Sequence, residues 1–230
     1  FTMKNATTME PQYQCVLEAS DKFGAPTLGL MSGYTWITDP KRLLFLLARY
    51  KFVAKCFTGL EKVLEIGCAD AFGTRIVRQE VKSLTATDFD PVFIEHAQTA
   101  TVPPPDFQLK VHDILSGPLE EGNFDGIFSL DVIEHIPKEQ EDIFLTNILK
   151  SMHQHGTLII GTPTIYSQVY ASAASKEGHV NCKDHHELKA LLAKYFHNVF
   201  IFSMNDEIVH TGFYQMAHYF MAVCCSPRLS

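Results

Sequence analysis

Residues 63–74, Val-Leu-Glu-Ile-Gly-Cys-Ala-Asp-Ala-Phe-Gly-Thr, constrain this chain more than any other stretch. A short apolar run stops at Gly67, small residues follow, and a helix-compatible pattern resumes through Ile76 and Val77. That order predicts a strand, a tight turn and the start of a helix. In an open parallel sheet such a turn is where a nucleotide-like ligand settles, because small residues let the backbone close in and the helix N-terminus offers unpaired N–H groups.

The rest of the chain repeats this alternation. Asp39-Pro40 opens a helix with Asp39 as N-cap, and its apolar residues Leu43, Leu44, Leu46, Leu47, Phe52, Val53 and Phe57 recur at helical spacing up to Gly59. Lys62 to Ile66 reads as the first strand, Gly73 to Val81 as a helix, and Ser83 to Asp88 as the second strand. Asp90-Pro91 opens a helix to about Ala100, and Pro103-Pro104-Pro105 is a stiff linker before a third strand, Phe107 to Val111. Phe124 to Leu130, nearly continuous apolar sequence between polar turns, has the composition of a strand buried on both faces. A helix from about Lys138 to Met152, a strand from Gly156 to Gly161 and a helix from about Asp184 to Tyr195 follow. Two late strands, Val199 to Ser203 and Gln215 to Val223, have no full helix between them, which predicts an α/β layer ending in an antiparallel hairpin.

A length of 230 residues suits a single domain, 1–230, rather than two. Within it, residues 1–39, broken at Gly24-Ala-Pro26 and Gly33, read as an N-terminal lid or extension, and the small, polar residues 164–182 as a cap insertion. The net charge of −7 argues against nucleic acid as partner. No apolar run is long enough to span a membrane, and the N-terminus has no signal-peptide pattern, so a cytoplasmic location is expected, with Met3 as the native start. Cysteines at 15, 56, 68, 182, 224 and 225 lack the spacing of a zinc site or a disulfide framework and read as reduced thiols.

Glu65-x-Gly67 at the end of the first strand and Asp88 at the end of the second have the separation at which an acid meets a ribose. A strand-ending Asp is otherwise a plain turn former. Five segments occur in order: Val63–Gly67, Ala86-Thr-Asp88-Phe-Asp90, His112-Asp113-Ile114, Phe124–Ile136 and Gly156–Pro163. Together they resemble the successive motifs of the class I S-adenosylmethionine-dependent methyltransferases, over roughly residues 40 to 163.

The resemblance implies a Rossmann-like three-layer sandwich, a seven-stranded and mostly parallel sheet with a C-terminal antiparallel hairpin, and S-adenosylmethionine as cofactor over the ends of strands one to four. Carried over by position, Glu65 and Gly67 shape the pocket around the methionyl part, and Asp88 takes the ribose hydroxyls with Phe89 beside the adenine. Asp113 and Ile114 meet the adenine amine, and Leu130 and Asp131 line the floor. Arg49, in the pair Arg49-Tyr50, is expected to reach the cofactor's carboxylate, the alternative being a solvated helix arginine. Trp36, in an expected loop Tyr34–Thr38, is a lid over the cofactor or else a core anchor. Members of the family usually have glycine where this chain has Ala69 and Ala71; the reading favoured here is that both keep a negative φ.

Since a sulfonium methyl is already activated, the protein's task is alignment, with a base where the acceptor is a hydroxyl. His135, just past the fourth strand, is the candidate catalytic residue, with a capping or packing histidine as the plain alternative. Tyr34, His179, Asn181, His210 and Tyr214 are expected to wall the acceptor pocket. No metal is expected, because the histidines after the insertion have few carboxylates near them in sequence. The acceptor is expected to be a small polar molecule, methylated on an oxygen of a sugar, capsule or secondary-metabolite precursor. A nicotinamide-dependent oxidoreductase and a non-catalytic S-adenosylmethionine-binding subunit are the alternatives, and the oligomeric state stays open.

Overall fold

The computed structural model describes residues 6–99 and 105–228. The expected start at Met3, Pro103-Pro104 of the expected linker and the expected helix end at Ala100 lie outside the described residues. The elements run α1 (Gln14–Phe23), α2 (Leu30–Thr38), α3 (Lys41–Cys56), β1 (Lys62–Ile66), α4 (Thr74–Arg78), β2 (Ser83–Asp88), α5 (Pro91–Thr99), β3 (Gln108–Val111), β4 (Phe124–Leu130) and α6 (Glu141–Ser151). They continue with β5 (Met152–Pro163), α7 (Ala173–Gly178), α8 (His185–Ala193), β6 (Phe196–Asn205), β7 (Ile208–His210) and β8 (Tyr219–Pro227).

One sheet has the order β3-β2-β1-β4-β5-β8-β6-β7. Strands β1 to β5 pair in parallel, while β8 pairs antiparallel with both β5 and β6. The described sheet therefore has eight strands, one more than expected. The addition is β7, three residues that pair antiparallel with the end of β6, too short to leave an alternating pattern in the sequence.

Strand periodicity sorts the core into two layers. Val63, Phe128 and Ile159 point into a cluster with Val53, Phe57 and Met221. Their neighbours Leu64, Ile127, Leu158 and Ile160 point into the opposite cluster, with Phe144, Ile148, Leu192 and Phe220. Apolar residues on both faces explain why β1 and β4 read as continuous hydrophobic runs. Full burial of each such side chain stabilises the fold by about 1.5–3 kcal/mol.

The N-terminal region departs from expectation. Gly33, expected as a breaker, and Tyr34–Thr38, expected as a loop, both lie in α2. A glycine inside a helix costs roughly 1 kcal/mol, and a tertiary anchor offsets it here. The Asp70 carboxylate, on the turn after β1, accepts from the Ser32 backbone N–H at 2.7 Å and the Ser32 hydroxyl at 3.2 Å. Gly29 permits that approach, since a Cβ there would lie 2.2 Å from Asp70 Cβ. The expected cap insertion consists of a short 3-10 helix, Ile165–Tyr170, and α7, with Thr164 and Ser172 as their N-caps.

Candidate active site

The turn between β1 and α4 brings the site's acids together. Gly67 has φ +78°, and a Cβ on it would lie 2.2 Å from Val132 Cγ2. Ala69 and Ala71 have φ of 46° and 54°, so the expectation of a negative φ at both is wrong. Backbone bonding imposes the shape: Ala69 N–H donates to Asp88 Oδ2 and Ala71 N–H to the Cys68 carbonyl, each at 2.8 Å. Left-handed backbone at an L-residue costs about 1–2 kcal/mol. Ala69→Gly is therefore expected to stabilise the protein by about 1 kcal/mol, raising Tm by about 2–4 °C for a chain of this size. Calorimetry checks it, and an unchanged or lower Tm would refute the strain.

Asp88 is buried, and each of its oxygens accepts one backbone bond, Oδ2 from Ala69 and Oδ1 from Asp90 at 3.0 Å. A carboxylate oxygen has two lone pairs, so both keep capacity for a ligand hydroxyl. Phe89 beside it is 72% exposed on the rim. Asp113 is exposed and caps its own turn through Leu115 N–H, while Ile114 is buried. Glu65 is buried and accepts from Tyr50 Oη at 2.7 Å and Thr74 Oγ1 at 2.5 Å. Burial pushes its carboxyl up to about 7, against the opposing pull of those two hydroxyl donors.

At the end of β4, Leu130 is buried and Asp131 takes φ +57°. Arg49 Nη1 donates to both Asp131 oxygens, at 2.9 and 2.7 Å, and its guanidinium stacks on the Tyr219 ring at 3.7 Å. Arg49 is thus bound inside the site, and the solvated-arginine alternative fails. Three buried polar atoms belonging to this neighbourhood have no partner: Arg49 Nε, Tyr219 Oη and Glu134 Oε1. Such atoms cost about 1–3 kcal/mol each, a cost that a polar ligand would remove.

His135 ends a 3-10 turn, Ile133–His135. Its Nδ1 bonds the Gly178 carbonyl at 2.8 Å, and its ring lies 5.1 Å from that of His179. His179 Nδ1 bonds Gln168 Oε1 at 2.9 Å. Burial and then the neighbouring His135 hold His179 below the usual imidazole pKa. Burial, and the nearby charge of Asp131, hold Glu134 well above the ordinary carboxylate range.

The other expected acceptor-wall residues divide. Asn181 is buried, and its amide nitrogen donates to the Ile136 carbonyl at 2.9 Å and to Glu141 Oε1 at 2.5 Å. Lys183 donates to its oxygen at 2.7 Å, so Asn181 is a structural tie with no amide hydrogen left for a ligand. His210 has both ring nitrogens engaged in its own hairpin, with Asn205 and Gly212. Tyr214 stacks on His185 at 4.1 Å, against the α8 face. Tyr34 and Trp36 are exposed on α2, at 66% and 56%, and the core-anchor alternative for Trp36 fails. Asp70, Glu134 and Tyr219 were not singled out from the sequence. Glu134 stands within the Phe124–Ile136 segment and Asp70 within the 63–74 stretch, whereas Tyr219 gives no local signal.

A parallel β3-β2-β1-β4 sheet with acids at the ends of β1, β2 and β4 around a glycine turn defines a Rossmann-like cradle of the methyltransferase type. Residues 64–160 match the family described as "Methyltransferase domain". It is 28% identical over 110 residues to the mitochondrial ubiquinone biosynthesis O-methyltransferase of Schizosaccharomyces pombe, covering 46% of this chain and 39% of that protein. The chain thus spans about two fifths of the curated relative it matches. The fold resembles N-methyltransferase NodS from Bradyrhizobium japonicum, solved with S-adenosyl-L-homocysteine, at TM-score 0.62 and 19% identity, covering 86% of this chain and 93% of that one. It also resembles a SAM-dependent methyltransferase from Archaeoglobus fulgidus at TM-score 0.60 and 17% identity, covering 80% and 94%.

S-adenosylmethionine fits the residues present. Asp88 keeps free lone pairs on a buried carboxylate, and the unpartnered Arg49 Nε and Tyr219 Oη stand by Asp131. No helix among the described residues is long and apolar enough to cross a membrane.

Proposed function

We propose that the chain transfers a methyl group from S-adenosylmethionine to an oxygen of a small polar acceptor. The observation behind this reading is the juxtaposition of Asp88, Glu65 and Asp131 at the cradle with His135, just past β4, and with His179, which follows α7 and packs on His135. The cofactor supplies an activated methyl, so the chain's residues bind, orient and manage a proton. Asp88 holds the ribose hydroxyls, with Phe89 and Ile114 beside the adenine and Asp113 at its amine. Glu65, Gly67, Leu130 and Arg49 shape the methionyl end, and Asp131, ion-paired with Arg49, lines its floor. On the acceptor side, His135 gives its Nδ1–H to the Gly178 carbonyl, which leaves Nε2 free to meet the hydroxyl.

Oxygen is favoured over nitrogen because the Schizosaccharomyces pombe relative, at 28% identity, is an O-methyltransferase, whereas NodS, at 19%, is an N-methyltransferase. Incubation with isotopically labelled methyl donor and paired hydroxylated and aminated acceptors, followed by NMR of the products, discriminates them. Label in O–CH3 groups is expected; label found only on nitrogen would refute the oxygen reading.

A further inference from the structure

We propose that Glu134, His135 and His179 form a binding site for a first-row divalent transition-metal ion that holds the oxygen of the acceptor. One donor atom from each of the three lies within 4.8 Å of the others. Metal bonds of about 2.1 Å bring donors to within roughly 4.2 Å of one another, so small side-chain rotations close the set. His135 is exposed and His179 half-buried, which leaves an approach from solvent.

Hydrogen bonding orients both imidazoles for this task. His135 Nδ1 faces the Gly178 carbonyl, which can only accept, so Nδ1 bears the hydrogen and Nε2 a free lone pair. His179 Nδ1 faces Gln168 Oε1, and the orientation of that amide is fixed because its nitrogen donates to the Thr164 carbonyl at 3.2 Å. His179 therefore also bears its hydrogen on Nδ1 and presents Nε2. Outer bonds of this kind from one ring nitrogen are the usual support of a metal-ligating histidine.

Glu134 supplies an independent observation. Its side chain is fully buried, Oε2 accepts from Thr162 Oγ1 at 3.0 Å, and Oε1 has no partner. An unpaired buried oxygen on a side chain of this set is a cost that a cation removes. Two imidazoles and one carboxylate favour zinc, cobalt, nickel or iron-type ions over magnesium or calcium, and three protein ligands leave positions open. The expectation of no metal weighed only carboxylates near the histidines in sequence, whereas Glu134 reaches His179 across the fold.

This inference rests on the methyl-transfer reading for its role and refines that of His135, whose Nε2 then holds the ion. An acceptor hydroxyl on the ion loses its proton to water, and its electron pair forms the new O–CH3 bond. The C–S pair returns to sulfur, leaving a neutral thioether.

The test uses untagged, chelator-dialysed protein titrated with Zn2+ by calorimetry and with Co2+ by visible absorption. One ion per chain is expected. Both His179→Ala and Glu134→Gln should weaken it at least about 100-fold, while S-adenosylhomocysteine affinity and circular dichroism stay unchanged. A His185→Ala/His186→Ala double variant, which removes the adjacent histidine pair at the start of α8, should bind as the parent does. Absence of a stoichiometric ion, its persistence in both ligand variants, or its loss only in the double variant would overturn the site, whatever the turnover. Ion binding with the expected pattern supports the site even where no tested acceptor is methylated, so its failure and that of the methyl-transfer reading are separable.

Discussion

Asp88→Ala is expected to weaken S-adenosylhomocysteine binding by roughly 100-fold, measured by isothermal titration calorimetry. The ligand's two ribose hydroxyls would each lose a bond to a charged acceptor, at about 1.5–3 kcal/mol per bond, and a tenfold change in affinity is about 1.4 kcal/mol. Because Asp88 also accepts from Ala69 and Asp90, the truncation disturbs the turn as well as the ligand. Asp88→Asn separates the two effects: it keeps one acceptor oxygen and is expected to lose about tenfold. His135→Ala, on the acceptor side, is expected to leave this affinity unchanged and to slow turnover. An Asp88→Ala affinity within about threefold of the parent would remove the residue from the ribose subsite.

Lys183→Met is expected to lower stability by about 3–5 kcal/mol, the usual effect of stranding one charge of a buried pair. For a chain of this size that is a fall in Tm of about 10 °C. Lys183 and Glu141 form an ion pair with side-chain exposures of 6% and 8%, and Asn181 bonds to both. A Thr164–Lys183 bridge and the bond from Asn181 N–H to the Glu134 carbonyl extend this buckle. It fastens residues 178–184 to residues 134–141 and so sets His179 against His135. Adding Glu141→Gln to Lys183→Met keeps an acceptor for Asn181 and removes the orphan charge, and should recover most of the loss. Thermal unfolding of the two variants decides the matter; equal Tm values would show that the charge pair is not what holds the segment.

The residues that were legible in the sequence are those whose neighbours are fixed by local pattern. The bounds of β1, β2 and β4 coincide with expectation because runs buried on both faces end abruptly at Gly67, Asp88 and Asp131, where the chain leaves the sheet. The terminal hairpin was legible in kind, from two strands without an intervening helix, though β8 begins at Tyr219 rather than Gln215 because Tyr214–Met216 form a 3-10 turn. Glu65 and Asp88 were legible because they sit at strand ends at a characteristic separation.

Polar contacts across long sequence distances were not legible. Asp70 anchors Ser32 from 38 positions away, and Arg49 meets Asp131 from 82. Neither leaves a periodic trace, so α2 reads as broken and Arg49 as reaching for the cofactor's carboxylate rather than for Asp131. The alanines at 69 and 71 misled for a related reason: residue type favours a negative φ, but the bonds closing the turn on Asp88 and Cys68 outweigh a cost of about 1–2 kcal/mol each. Asn181 looked like a pocket residue for want of its buried partner Glu141, 40 positions earlier.

The central claim is that the turn at Gly67, closed by Asp88 and flanked by Asp131, is an S-adenosylmethionine cradle. Calorimetric titration of the full chain with S-adenosylhomocysteine and, separately, with NADH tests it most directly. Stoichiometric heat with S-adenosylhomocysteine and none with NADH is the result this account requires, and no heat with S-adenosylhomocysteine would contradict it.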